Sequence, residues 1–179
     1  MKNRKLILYI ACSLDGYIAK PGNDLSFLDR VQKEGEDYGY NDFISTVDTV
    51  IIGRKTYDWV MAHVDTFPYA DKETYIITKK ERSPYGKISF YTGDLKALVS
   101  ELKTKTGQHI FCDGGAEVVS ELLNHKLFDE LIISVIPVLV GDGIRLFKDG
   151  RPEQGLNLLS AKSFDTGLVQ LHYSTSIIG

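Results

Sequence analysis

The sequence has little of what assigns a protein at first reading. Its two cysteines, Cys12 and Cys112, each sit inside an apolar run (Ile10-Ala-Cys12 and Ile110-Phe-Cys112). They are too few for a disulfide framework and fit buried thiols in a reducing, cytoplasmic setting. The four histidines, His63, His109, His125 and His172, share no metal-ligand spacing with one another or with the cysteines, so no metal is expected. No G-x-G-x-x-G, no G-x-x-x-x-G-K-[ST] and no G-x-S-x-G occurs. Their absence removes the standard Rossmann fingerprint, the phosphate loop and the serine nucleophile elbow. Neither sign of charge dominates, with 21 basic against 24 acidic residues and a net charge of −3. Nucleic acid and anionic membranes demand a concentrated basic face, so the expected partners are small molecules or other proteins.

Long hydrophobic runs are also missing. No stretch approaches about 18 uninterrupted apolar residues, and residues 131–140 are broken by Ser134 and Pro137. Met1-Lys-Asn-Arg-Lys5 followed by Leu6-Ile-Leu-Tyr-Ile-Ala-Cys12 imitates a secretion or lipidation signal. The imitation fails on its short apolar stretch and on bulky Tyr9, and a buried first strand accounts for it better.

What is present is a chain of 179 residues, 43% apolar. At that length roughly 70% of the unfolded surface can be buried without a staple, and no linker or repeat divides residues 1–179, which read as one domain. Residues 5–12 read as a strand, followed by an irregular arm punctuated by Asp15-Gly16 and Pro21-Gly22. A short helix is expected over residues 37–46, then a strand over 49–52 and a helix over 54–63 entered from Gly53. Strands are expected over 73–78 and 87–91, and Asp94 caps a helix whose Leu95, Leu98, Val99 and Leu102 form one stripe. A strand over 109–112 leads through Gly114-Gly115 into a helix carrying Val118, Val119, Leu122 and Leu123. A long strand over 131–140 is kinked or interrupted at Pro137, and strands over 156–163 and 168–176 close the chain as a hairpin. The pattern specifies a three-layer α/β/α fold, its mixed sheet mostly parallel with an antiparallel hairpin at the C-terminal side.

In such folds ligands bind beyond the carboxyl ends of the strands, where helix N-termini offer N–H donors. Three junctions carry suitable residues. Gly53-Arg54-Lys55-Thr56 joins strand to helix with a guanidinium and a hydroxyl. Cys112-Asp-Gly114-Gly115-Ala116 allows a pyrophosphate close to the backbone. Thr78-Lys79-Lys80 places a hydroxyl beside two ammonium groups. Their coincidence suits a ligand with several phosphates, such as a dinucleotide. For proton handling the candidates are Asp15, after the first strand, and Asp37, with Asp42 turned away from it on the same short helix. Trp59 and Met61 read as core or pocket wall.

As a set, Ser13-Leu-Asp-Gly16, Val50-Ile-Ile-Gly-Arg-Lys-Thr-Tyr57, Phe111-Cys-Asp-Gly-Gly-Ala-Glu117, Leu127-Phe-Asp-Glu-Leu131 and Pro137-Val-Leu-Val-Gly-Asp-Gly143 resemble the dihydrofolate-reductase-like superfamily. The nearer resemblance is to the reductase domain of bifunctional riboflavin-biosynthesis deaminase/reductases and its stand-alone relatives. It implies NADPH as cofactor and hydride transfer to a small heterocyclic or sugar-linked substrate. It also implies a homodimer with interface contributions from the C-terminal strands. By motif, Gly53, Arg54 and Thr56, with Lys55, would meet the cofactor's phosphates. Gly114 and Gly115, with Ala116 and Glu117, would meet its pyrophosphate, and Thr78 with Lys79 its 2′-phosphate region. Asp15 would face the substrate, and Asp37 stands where dihydrofolate reductases hold an acid ahead of the Gly-Arg-x-Thr turn. The alternative is a module of this fold that binds a nucleotide without reducing anything.

Overall fold

A computed structural model describes residues 4–176. Met1–Asn3, the start of the signal-like basic run, and residues 177–179 lie outside them. Alternation sets the first strand, β1 (Leu6–Ser13), in which Leu6, Leu8 and Cys12 join one core and Ile7 the other. The chain then makes β2 (Tyr17–Ala19) and two 3₁₀ turns, Pro21–Asn23 and Ser26–Val31, before α1 (Tyr40–Ser45) and β3 (Val47–Gly53). α2 (Arg54–Met61), β4 (Glu73–Ile77) and β5 (Ile88–Tyr91) follow. The Asp94 carboxylate accepts the Ala97 N–H at 2.7 Å and caps α3 (Leu95–Thr104), an arrangement worth about 1 kcal/mol. After it come β6 (His109–Gly114), α4 (Ala116–Asn124), β7 (Glu130–Ile136), β8 (Ile144–Arg145), β9 (Asn157–Ser163) and β10 (Val169–Ser174).

Eight strands form one sheet in the order β5-β4-β3-β6-β1-β7-β10-β9. The six from β5 to β7 are parallel, and β10 runs antiparallel to both β7 and β9. On one face α3 and α4 bury their leucine and valine stripes against Leu6, Leu8, Ile51, Ile110 and Ile133. On the other, Phe43 of α1 and Tyr57 and Val60 of α2 pack on Ile7, Val50, Ile52 and Phe111. The expected three-layer fold with a mixed sheet is the fold observed. Both cysteines are buried and unpaired, and burial raises the thiol pKa of Cys12 to about 11 and of Cys112 to about 12.

Several boundaries differ from the sequence reading for physical reasons. α1 begins at Tyr40, three residues past Asp37, because Gly39 takes a left-handed conformation (φ +81°) and breaks the helical path. The strand expected over 131–140 stops at Ile136, before Pro137, which has no N–H for a ladder. β2 and β8 pair with each other in a small second sheet that the sequence reading did not anticipate. Trp59 and Met61 lie outside the core, each 37% exposed on α2, where Trp59 stacks on His63 with ring centroids 4.2 Å apart. Among the described residues no helix is long and apolar enough to cross a membrane.

Candidate active site

Because β6 inserts between β3 and β1, the carboxyl ends of β4, β3, β6 and β1 stand side by side on one edge. Two helices start there. Gly53 leads from β3 into α2 and Gly115 into α4, and neither start is capped by a side chain. Their first-turn N–H groups are therefore left for a ligand or water. The two turns touch: a Cβ on Gly53 would stand 3.2 Å from the Gly115 nitrogen, and one on Gly115 would stand 2.7 Å from Thr56 Oγ1. Gly114 has φ +106°, and the Gly114–Gly115 peptide is cis. Two of the three anticipated junctions are thus packed against each other, the backbone of one turn meeting the backbone and the Thr56 hydroxyl of the other. Lys55 and Glu117 form an exposed ion pair (3.4 Å) from the first turn of one helix to the first turn of the other.

The third junction lies on the next strand. Thr78 Oγ1 accepts the Lys80 N–H at 3.2 Å, and Lys79 and Lys80 project into solvent. Beside them two guanidiniums converge on one carboxylate: Arg54 and Arg82 both pair with Asp58, the latter at 3.5 Å. Arg82 also lies over the Phe90 ring, 5.3 Å from its centroid. Cations therefore gather over β3, β4 and β5, with Asp58 and Glu117 paired among them.

The acids have different duties. Asp15 accepts hydrogen bonds from Ser13 Oγ (2.5 Å), the Val140 N–H (3.0 Å) and the Gly141 N–H (2.7 Å). These bonds, the serine's first, hold its carboxyl down to about 2, so it is an anionic clasp at neutral pH. Asp37 accepts the N–H groups of Asn41 (3.0 Å) and Gly39 (2.9 Å), which lower its pKa. It caps the entry to α1 from outside the helix. A third acid, Asp113, behaves in the opposite sense. It sits at a bulge of β6, between the residues that pair with Ile51 and Ile52. It lies under Tyr69 and close to Tyr40, whose hydroxyls are 3.0 Å apart. Burial raises the Asp113 carboxyl to about 7, opposed by a hydrogen bond from Tyr69. Burial likewise raises the pKa of both tyrosines, keeping them protonated. This gives the edge one carboxyl group that can hold or release a proton near neutrality.

Over residues 4–170 the sequence matches the model of the RibD C-terminal domain. The chain belongs to that family. The RibD C-terminal domain thus spans nearly all of it. A relative in Bacillus subtilis (strain 168), the uncharacterized protein YwjB, is 44% identical over 171 residues, covering 95% of this chain and 97% of its own. The crystal structure of a Shewanella sp. PV-4 protein provisionally assigned to riboflavin biosynthesis superposes with a TM-score of 0.87. It is 28% identical, with 96% of this chain and 99% of that one covered. Dihydrofolate reductase from Enterococcus faecalis, complexed with NADP(H), shares the fold at a TM-score of 0.62 and 15% identity, covering 95% of each chain. The RibD-type domain here is dihydrofolate-reductase-like in architecture, as its motifs imply.

Of the residues singled out in the sequence, Gly53, Arg54, Lys55, Thr56, Gly114, Gly115, Ala116 and Glu117 are brought together at the paired helix starts. Thr78 and Lys79 lie one strand away, and Asp15 and Asp37 are tied into loops. Asp113 and Arg82 were missed. Asp113 carried a signal, an acid set between the apolar Ile110-Phe-Cys112 and two glycines, whereas nothing local distinguishes Arg82 from a solvated arginine.

Proposed function

We propose that this protein is an NADPH-dependent reductase passing hydride to a small heterocyclic or sugar-linked acceptor. The observation that carries the reading is the close packing of the two uncapped helix starts, with the Thr56 hydroxyl of one only 2.7 Å from where a Cβ on Gly115 of the other would stand. The cradle they form fits a pyrophosphate: the first-turn N–H groups of α2 and α4 would hold it, and the Thr56 hydroxyl lies against Gly115. Arg54, Lys79 and Arg82 would meet a 2′-phosphate at the cationic end of the edge. The fold supports the reading, since the Enterococcus faecalis enzyme that shares it is complexed with NADP(H).

When bound, the nicotinamide supplies the hydride. The chain supplies the proton and the positioning. The Asp113 carboxyl, raised by burial to about 7, can hold a proton near neutrality, and the Tyr69 hydroxyl that donates to it lies 3.0 Å from that of Tyr40. Asp15 and Asp37, already anionic and occupied, serve as loop anchors rather than acids, which moves the proton-handling role to Asp113. Calorimetric titration with NADPH and NADH tests the assignment: NADPH binds more tightly, and equal affinities or no binding would overturn it.

A further inference from the structure

Asp113 is the last member of a short chain of hydrogen bonds that has a direction. The Tyr69 hydroxyl donates to the Asp113 carboxylate, and its oxygen lies 3.0 Å from that of Tyr40, a contact in which either phenol could be the donor. A phenol has a single proton. Tyr69 commits its own to Asp113, so the contact runs from Tyr40 to Tyr69. Three elements meet in this chain: Tyr40 begins α1, Tyr69 lies in the loop before β4, and Asp113 sits at the bulge of β6. Edge-to-face packing holds the rings, Tyr69 against Phe67 (5.3 Å) and Phe111 (5.8 Å) and Tyr40 against Tyr9 (5.6 Å). Burial keeps both phenols protonated, and it keeps the thiol of Cys112, whose ionisation the Asp113 charge also opposes, neutral.

We propose that Tyr40 and Tyr69 are positioning residues: their ordered hydroxyls hold one Asp113 oxygen as an acceptor and put the acid's proton on the other oxygen, which is left for the substrate. The inference rests on the reductase reading and deepens it. An acid that turned its proton toward Tyr69 would force both phenols to reverse, and the Tyr40 proton would give up its partner. With the chain in its observed order, the O–H bond on the free oxygen breaks as the proton passes to the nitrogen or oxygen of the C=N or C=O group being reduced. The carboxylate left behind is one that Tyr69 already stabilises, and water returns the proton afterwards. Each hydroxyl in the chain strengthens the next as a donor, so Tyr40 acts on Asp113 through Tyr69.

The carboxyl-carbon NMR resonance of Asp113, followed across pH in the free protein, tests the chain without cofactor or substrate. In the native protein it titrates at about 7, and the Cζ resonances of Tyr69 and Tyr40 shift with the same midpoint while both phenols stay protonated. Tyr69→Phe keeps the ring contacts and removes the donor to the carboxylate, so the midpoint rises by about one pH unit. Tyr40→Phe raises it by less. A midpoint that falls in Tyr69→Phe would mean that the acid donates to Tyr69, and overturns the proposal. So does a midpoint unmoved in both variants, the result of a purely structural pair. Should Tyr69→Phe not fold, the native spectra decide, and tyrosine resonances that do not follow Asp113 overturn it. Failure of NADPH to bind would sink the reductase reading, an outcome on which the titration does not depend.

Discussion

Asp15 Oδ2 accepts the Gly141 N–H at 2.7 Å while its Oδ1 accepts that of Val140 at 3.0 Å. One side chain thereby fastens the turn after β1 to the loop after β7. Asn offers a single acceptor oxygen, so Asp15→Asn loses one of these bonds. Amide exchange at Val140 and Gly141 should accelerate while NADPH affinity stays unchanged, because the clasp lies away from the cradle. The pH sign is fixed by the lowered pKa. The clasp is intact above the ordinary carboxylate value of 3.8 and fails as pH falls toward about 2. Unchanged exchange in the Asn variant would refute the clasp.

Asp113→Asn separates proton handling from binding. Removing the ionisable group should lower turnover by roughly 10²–10⁴-fold with NADPH affinity kept. In the native protein the acid is competent while protonated, so the rate should fall as pH rises through about 7, and the variant should lose that limb. The stability sign runs the same way. A carboxyl whose folded pKa is raised contributes most below its unfolded value near 3.8, and loses that contribution as pH rises toward about 7. The Asn variant should thus melt higher than the native protein at pH 8 and gain less at pH 5. Thermal melts at the two pH values check this.

Much of the fold was legible because its signals are local. The apolar alternation of Leu6 to Cys12, the Asp94 cap and the Leu95-Leu98-Val99-Leu102 stripe each act within a few residues. The glycine turns were legible too, since a strand running into Gly53 or Gly114-Gly115 and then a helix is a pattern in the chain itself. What escaped depends on distant residues. β2 and β8 have three and two residues, and neither has a period to read until Tyr17 meets Arg145. Asp113 becomes a proton-holding group only when a bulge aims it beneath Tyr69 and Tyr40. The backbone N–H groups that hold Asp15 and Asp37 leave no trace in side-chain composition, so these bonds could not be read from the sequence.

Arg82→Ala should weaken NADPH binding and leave NADH binding unchanged, since a charge-assisted hydrogen bond to the 2′-phosphate is worth about 1.5–3 kcal/mol. Asp58→Asn should do the reverse. Its carboxylate holds the guanidiniums of both Arg54 and Arg82, so neutralising it frees them for the ligand and raises NADPH affinity, most strongly at low salt. Parallel titrations of the two cofactors at two salt concentrations test the pair. Equal losses for NADPH and NADH in Arg82→Ala would assign the residue a structural role.

Gly115→Ala places a methyl group 2.7 Å from Thr56 Oγ1. The hydroxyl can turn away by rotation about one bond, and Gly115 has an ordinary φ of −78°, so the fold should survive with a small change in melting temperature. The cradle should not, because the methyl displaces the Thr56 hydroxyl that lies between the two helix starts. NADPH affinity should fall at least about tenfold, the equivalent of about 1.4 kcal/mol. A variant that unfolds would mark the glycine as structural, whereas one that binds normally would remove the cradle from the cofactor site.

The hairpin bears on assembly. β9 is the outer strand of the sheet, with one edge unpaired by any other strand among the described residues, and it carries Leu158 at 57% and Leu159 at 50% exposure, with Leu156 and Val169 exposed nearby. Edge strands of monomers are usually shielded by charge, proline or a bulge. Here the bulge between His172 and Tyr173 lies on the paired side, and Lys162 is the only charged residue in β9. We propose that a second copy covers this edge, making a homodimer in which the leucines of both hairpins are removed from water. Light scattering at micromolar concentration should give about 40 kDa, twice the chain mass of 20.1 kDa. Leu158→Lys/Leu159→Lys should halve it, because two ammonium groups would have to be desolvated at the seam. A monomer mass for the native protein would count against the proposal. So would a lysine variant that keeps the dimer mass, which would move the interface elsewhere.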